Sequence, residues 1–120
     1  MQLYGIILVV LDKNLIFHIA TREDWEKARQ NGEYTADAYQ TKGYIQCFTI
    51  EQILPTANEK FRNQKALLIL YIDPKEVEAK IVTKAKHPCI EGTLSRDAVV
   101  RVVTMNPQED GSFILPPDLL

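Results

Sequence analysis

Residues 66–72 (ALLILYI) limit the architecture of this chain more than any other segment. Seven apolar residues in a row, with no polar alternation, describe a strand that needs cover on both faces. Asp73-Pro74 stops the run, because proline has no N–H for a ladder. Residues 15–20 (LIFHIA) and 98–104 (AVVRVVT) also read as strands, the second rich in β-branched side chains.

Helices are signalled in the first half. Thr21 can cap one, Asp24 follows three residues later as an approximate capping box, and Gly32 supplies a left-handed stop. Arg22, Glu23, Glu26, Lys27 and Arg29 give it a wet face, while Trp25 and Ala28 give it an apolar one. Thr49 with Gln52 opens a second helix carrying Ile50, Ile53, Leu54, Ala57 and Phe61, and Pro55 predicts a kink or a split within it. Gly43 precedes a strand over residues 44–48. Pro74 fits the first turn of a short helix through about Ala79. Residues 80–83 read as extended and residues 87–94 as a loop. Asp110-Gly111 turns the chain into residues 112–115, and Pro116-Pro117 ends regular structure. Helices early and strands late point to an α+β fold rather than an alternating parallel one.

At 120 residues the chain is expected to form a single domain, with residues 1–14 as an extra N-terminal strand or extension, 15–103 as the core, and 104–120 as a C-terminal hairpin and tail. Residues 3–11 (LYGIILVVL) are apolar but lack the basic start and small-residue cleavage site of a signal peptide, and they fall short of a membrane span. A pairing strand, also able to join two copies as a homodimer, is the remaining reading. Two cysteines without a CxxC indicate a reducing, cytoplasmic setting. A net charge of -2 gives no broad grip on DNA or RNA, and Lys80, Lys84 and Lys86 read as a solvated strand face.

Sequence motifs narrow the chemistry further. GxGxxG, GxxxxGK followed by Ser or Thr, HExxH and GxSxG are all missing from the sequence. His87 and Cys89 are close, but no zinc spacing joins them to His18 and Cys47, and Cys47, flanked by apolar residues, reads as a small hydrophobe. Strand alternation puts His18 on the opposite face from Phe17 and Ile19. At a strand end before a helix N-terminus, its ring can meet a ligand beside free N–H groups. The other reading is a core histidine bonded to a backbone carbonyl.

Residues 15–25 (LIFHIATREDW), then Gly32-Glu33-Tyr34, residues 43–49 (GYIQCFT), Thr56-Ala57-Asn58 and residues 97–100 (DAVV) occur in order. This succession resembles the bacterial family known as domain of unknown function 952, which is similar in fold to the ADP-ribosyltransferases. The resemblance implies two small, mainly antiparallel sheets around a cleft, with two or three helices. It also implies a cleft for NAD or an ADP-ribose-like nucleotide as ligand or substrate, with no permanently bound cofactor. His18 would then hold ribose hydroxyls, Thr21 would meet ligand oxygens, Gln46 would line the pocket and Tyr44 would stack. Glu91 would stabilise positive charge on the sugar during transfer or hydrolysis, although it also reads as a plain loop carboxylate. Four positions depart from the family pattern: Gln46 stands in place of a histidine, Phe48 of a serine, Cys89 of a histidine and Glu91 of a tyrosine. Glutamine cannot shuttle a proton near neutral pH. The departures leave a second reading, a catalytically inactive binding or interaction module on the same scaffold. A third, an RNA-phosphate enzyme, lacks clustered arginines.

Overall fold

Leu67–Ile72, buried at all six positions, forms the middle strand of a three-stranded sheet. The computed structural model describes residues 14–34 and 43–115. Its elements in chain order are β1 (Ile16–Ala20), α1 (Arg22–Asn31), β2 (Glu33–Tyr34), β3 (Ile45–Gln46), α2 (Ile50–Lys60), β4 (Leu67–Ile72), β5 (Lys80–Lys84), β6 (His87–Glu91), β7 (Leu94–Ser95) and β8 (Val99–Met105). Short 3-10 turns occupy Pro74–Glu76 and Arg96–Ala98. The expected residues 3–11 strand, Asp12 and Lys13 of the turn after it, and Pro116-Pro117 lie outside the described residues. No described helix is long and apolar enough to cross a membrane.

All strand pairs among the described residues are antiparallel. The described strands form three small sheets, where two were expected: β1-β4-β8, β2-β7 and β3-β6-β5. The additional one is short, with Glu33 opposite Ser95 and Tyr34 opposite Leu94. It forms because Gly32, at φ 86°, ends α1 in a left-handed turn that sends Tyr34 back towards the core. A bridge between Phe17 and Phe48 links the first sheet to the third.

The first sheet has a core layer on each face. Phe17, Ile19, Ile69, Tyr71, Val103 and Met105 pack with Ile53 and Ala57 of α2. Ala20, Leu68, Leu70 and Ile72 pack with Ala28 of α1 and with Ile45, Ile90 and Leu94 of the smaller sheets. This is why residues 66–72 show no alternation: an uninterrupted apolar strand is the sequence imprint of a sheet covered on both sides.

The first helix follows its signals. The Thr21 hydroxyl accepts from the Asp24 N–H at 3.1 Å, and the Gly32 N–H donates to the Ala28 carbonyl at 2.8 Å. The second departs from expectation, because α2 runs unbroken through Pro55. Pro55 is exposed, as is Glu51 four residues earlier, so water can take the carbonyl that loses its helical donor. Two other segments also differ. The helix after Pro74 is a single 3-10 turn ending at Glu76. Residues 87–94, expected as a loop, hold β6 and the start of β7. The β5–β6 hairpin turns at Ala85 and Lys86, both at positive φ (50° and 70°), the backbone of a tight hairpin turn. Neither residue is one that advertises such a turn. Beyond β8, Pro107 and Phe113 meet in one bridge around the Asp110-Gly111 turn rather than in a full ladder.

Candidate functional site

His18 sits within β1, opposite Leu70, and only 6% of it is exposed. Its Nδ1 lies 2.7 Å from the Gln46 carbonyl oxygen and its Nε2 lies 2.8 Å from the Tyr34 hydroxyl. A carbonyl can only accept, so Nδ1 carries the proton and Nε2 accepts from Tyr34. The two rings meet edge to face, centroids 5.0 Å apart. Burial holds the imidazole pKa down to about 4 from 6.5, partly opposed by the bond to Gln46. At neutral pH the ring is therefore uncharged. Through these contacts one side chain joins the strand that bears it to β2 and β3, each in a different sheet.

This arrangement corrects the expectation of a ring open to a ligand at a strand end. β4 flanks β1 on one side and the Phe48 bridge closes on the other, while β2 and β3 supply partners to both nitrogens. The carbonyl-bonded core histidine is the form this structure holds.

The other candidates separate into distinct places. Thr21 is exposed at the α1 cap, its hydroxyl committed to Asp24. Gln46 meets His18 through its backbone carbonyl rather than its amide. Tyr44 is half-buried, and the Lys84 ammonium sits 5.2 Å from its ring centre. The same ammonium lies 3.6 Å from the Glu91 carboxylate. Tyr44 and Glu91 are thus brought together through Lys84, and neither is a hydrogen-bond partner of His18. With those charged side chains 42% and 39% exposed, that ion pair contributes at most about 1 kcal/mol. Cys47 and Cys89 are buried and form no disulfide with each other. Burial, and secondarily the Cys89 thiol, push the Cys47 thiol up, which removes thiolate chemistry at neutral pH. Among the described residues, no group of three His, Cys, Asp or Glu side chains could hold a metal ion.

A groove of about 540 Å³ opens elsewhere, lined by Glu33, Glu78, Ala79, Gly92, Thr93 and Ser95. The Thr93 hydroxyl donates to the Glu33 carboxylate at 2.8 Å. None of the five side chains singled out from sequence lines it, although Glu91 is the chain neighbour of Gly92. The glycine is required by a close approach, since a Cβ there would stand 2.7 Å from the Cβ of Ala79. Gly92→Ala is expected to cost about 1–3 kcal/mol of stability in denaturant unfolding. Adding Ala79→Gly should return part of that loss. Sequence reasoning missed this groove because it is gathered from β2, the approach to β5 and the β6–β7 turn. It also missed Tyr34 as the histidine's partner, although Gly32-Glu33-Tyr34 stood among the residues carrying the family resemblance.

The family described as "Protein of unknown function (DUF952)" matches residues 19–102, which take in part of β1, both helices and most of β8. The chain belongs to this family. The fold is similar to that in the crystal structure of protein CC0527 from Caulobacter crescentus, 24% identical. That match covers 88% of this chain and 97% of that one, with a TM-score of 0.79. The solution NMR structure of CC0527 is 25% identical, covers 82% of this chain and 90% of that one, and has a TM-score of 0.69. No curated protein matches the chain. These solved structures share the chain's fold, a mixed α and β arrangement of small antiparallel sheets with two helices.

Proposed function

We propose that this DUF952 chain is a non-catalytic binding module on an ADP-ribosyltransferase-like scaffold, working in a bacterial cytoplasm. Its ligand enters the groove beside Glu33, Glu78 and Thr93 rather than a nucleotide cleft at His18. One observation carries the reading: both nitrogens of His18 are already bonded inside the protein. For the ring to hold a ribose, it would have to give up its bond to the Tyr34 hydroxyl or the Gln46 carbonyl, at about 0.5–1.5 kcal/mol for each bond. Gln46 cannot replace the proton transfer, and Glu91 is engaged with Lys84 at the surface.

The groove favours a different ligand class. Two carboxylates beside hydroxyls attract a cation that donates hydrogen bonds and disfavour a pyrophosphate. Arginine amide is a simple probe of that chemistry. Thermal unfolding with arginine amide is expected to show a concentration-dependent upward shift that a Glu33→Gln/Glu78→Gln variant loses. NAD and ADP-ribose are expected to leave the transition unmoved, and incubation with NAD to release no nicotinamide above the protein-free blank. The proposal fails if NAD raises the transition temperature and nicotinamide accumulates in a way that His18→Ala abolishes.

A further inference from the structure

We infer that the outer edge of β5 is a docking surface for an extended, acidic segment of a partner protein. The segment adds to the β3-β6-β5 sheet as a further strand. β5 ends that sheet, and among the described residues only β6 is paired with it. Lys80, Thr83 and Lys84 are exposed, and Ile81 and Val82 are half-buried.

The hairpin decides which backbone groups this edge presents. Its turn residues, Ala85 and Lys86, both have positive φ, the type I′ form, so Lys84 and His87 close it as a hydrogen-bonded pair. Pairing then alternates along the ladder. Val82 and Lys80 bond to Cys89 and Glu91, while Thr83 and Ile81 stand opposite Pro88 and Ile90 without ladder bonds. Pro88 fits this alternation: it has no N–H to give β5, and its carbonyl accepts from the Cys47 N–H on the far side at 2.8 Å. The N–H and C=O groups of Ile81 and Thr83 therefore point away from β6, spaced to receive another strand.

Side chains on the edge select the partner. Lys80, Val82 and Lys84 share one face of β5, and Lys86 follows in the turn. Glu91 answers Lys84 at 3.6 Å, while Glu78, just before β5, lines the groove. The edge keeps a positive excess. It favours a strand with carboxylates facing Lys80 and Lys84 and an apolar residue facing Val82. A second copy of β5 is a poorer occupant. Antiparallel self-pairing centred on Val82, the register that uses the outward groups of both Ile81 and Thr83, sets Lys80 against Lys84 twice.

Titration of the full chain with the capped peptide Thr-Glu-Thr-Val-Thr-Glu-Thr, followed by amide NMR, tests this. In antiparallel register the peptide's valine faces Val82 and its glutamates face the two lysines. The Ile81 and Thr83 amides are expected to shift and, at saturation, to exchange with water about tenfold more slowly or better. Those of Val82 and Lys84 should keep their rates. Replacing both peptide glutamates by lysine should weaken binding about tenfold or more. Thr83→Pro, which removes an outward N–H and no bond to β6, should weaken binding of the acidic peptide by a similar factor. Ile81 and Thr83 amides indifferent to millimolar acidic peptide would overturn the inference, as would equal binding of the two peptides. So would changes at these amides on concentrating the chain alone, which would give the edge to a second copy.

Discussion

His18→Ala is expected to lower the free energy of unfolding by about 2–5 kcal/mol, measured by urea denaturation at neutral pH. The loss combines a cavity at a position only 6% exposed with two lost hydrogen bonds, to the Gln46 carbonyl and the Tyr34 hydroxyl. Tyr34→Phe should cost less, about 1–3 kcal/mol, since it takes the donor from the imidazole Nε2 while the ring keeps its place. The double variant should cost clearly less than the two single losses added together, because both remove the same bond. A histidine kept solely for a ligand behaves differently: its removal leaves stability near unchanged and reduces only binding.

Acidification is the second large effect. The unfolded chain takes up the His18 proton near pH 6.5, the folded chain only near pH 4. Between those values the unfolded state binds more protons, so stability rises with pH through that window. The contribution is complete above pH 6.5, is lost as pH falls, and levels off below about pH 4. Its size is about 3 kcal/mol. Carboxylates titrate in part of the same range, so the measurement is a difference. Stability against pH for the unmodified chain should fall more steeply between pH 6.5 and 4 than for His18→Gln.

Much of the fold was legible because local signals agreed with tertiary demands. The uninterrupted apolar run of β4 told of cover on both faces, and Thr21 and Gly32 marked both ends of α1 by their own bonds. The β5–β6 hairpin was hidden because Ala85 and Lys86 adopt positive φ without being turn residues, so β6 read as a loop. Pro55 misled because a helix tolerates it where the freed carbonyl faces water.

The site was less legible than the fold. Alternation assigned His18 its face correctly, but the depth of the ring depends on Tyr34 and Gln46, 16 and 28 residues away in sequence. No spacing rule connects those positions. The groove has the same origin, since Glu33, Glu78 and Thr93 come from three separate segments. Nor does a strand pattern reveal that Lys84 bridges Tyr44 and Glu91.

The claim on which the account rests is that the imidazole of His18 is an internal tie between sheets. Ring-nitrogen NMR of the histidines, followed against pH and against added NAD, reads this without any substitution. The account predicts a neutral ring protonated at Nδ1, unchanged until pH approaches about 4 and indifferent to NAD. A ring that takes up its proton near pH 6.5, or whose signals move when NAD is added, would contradict it.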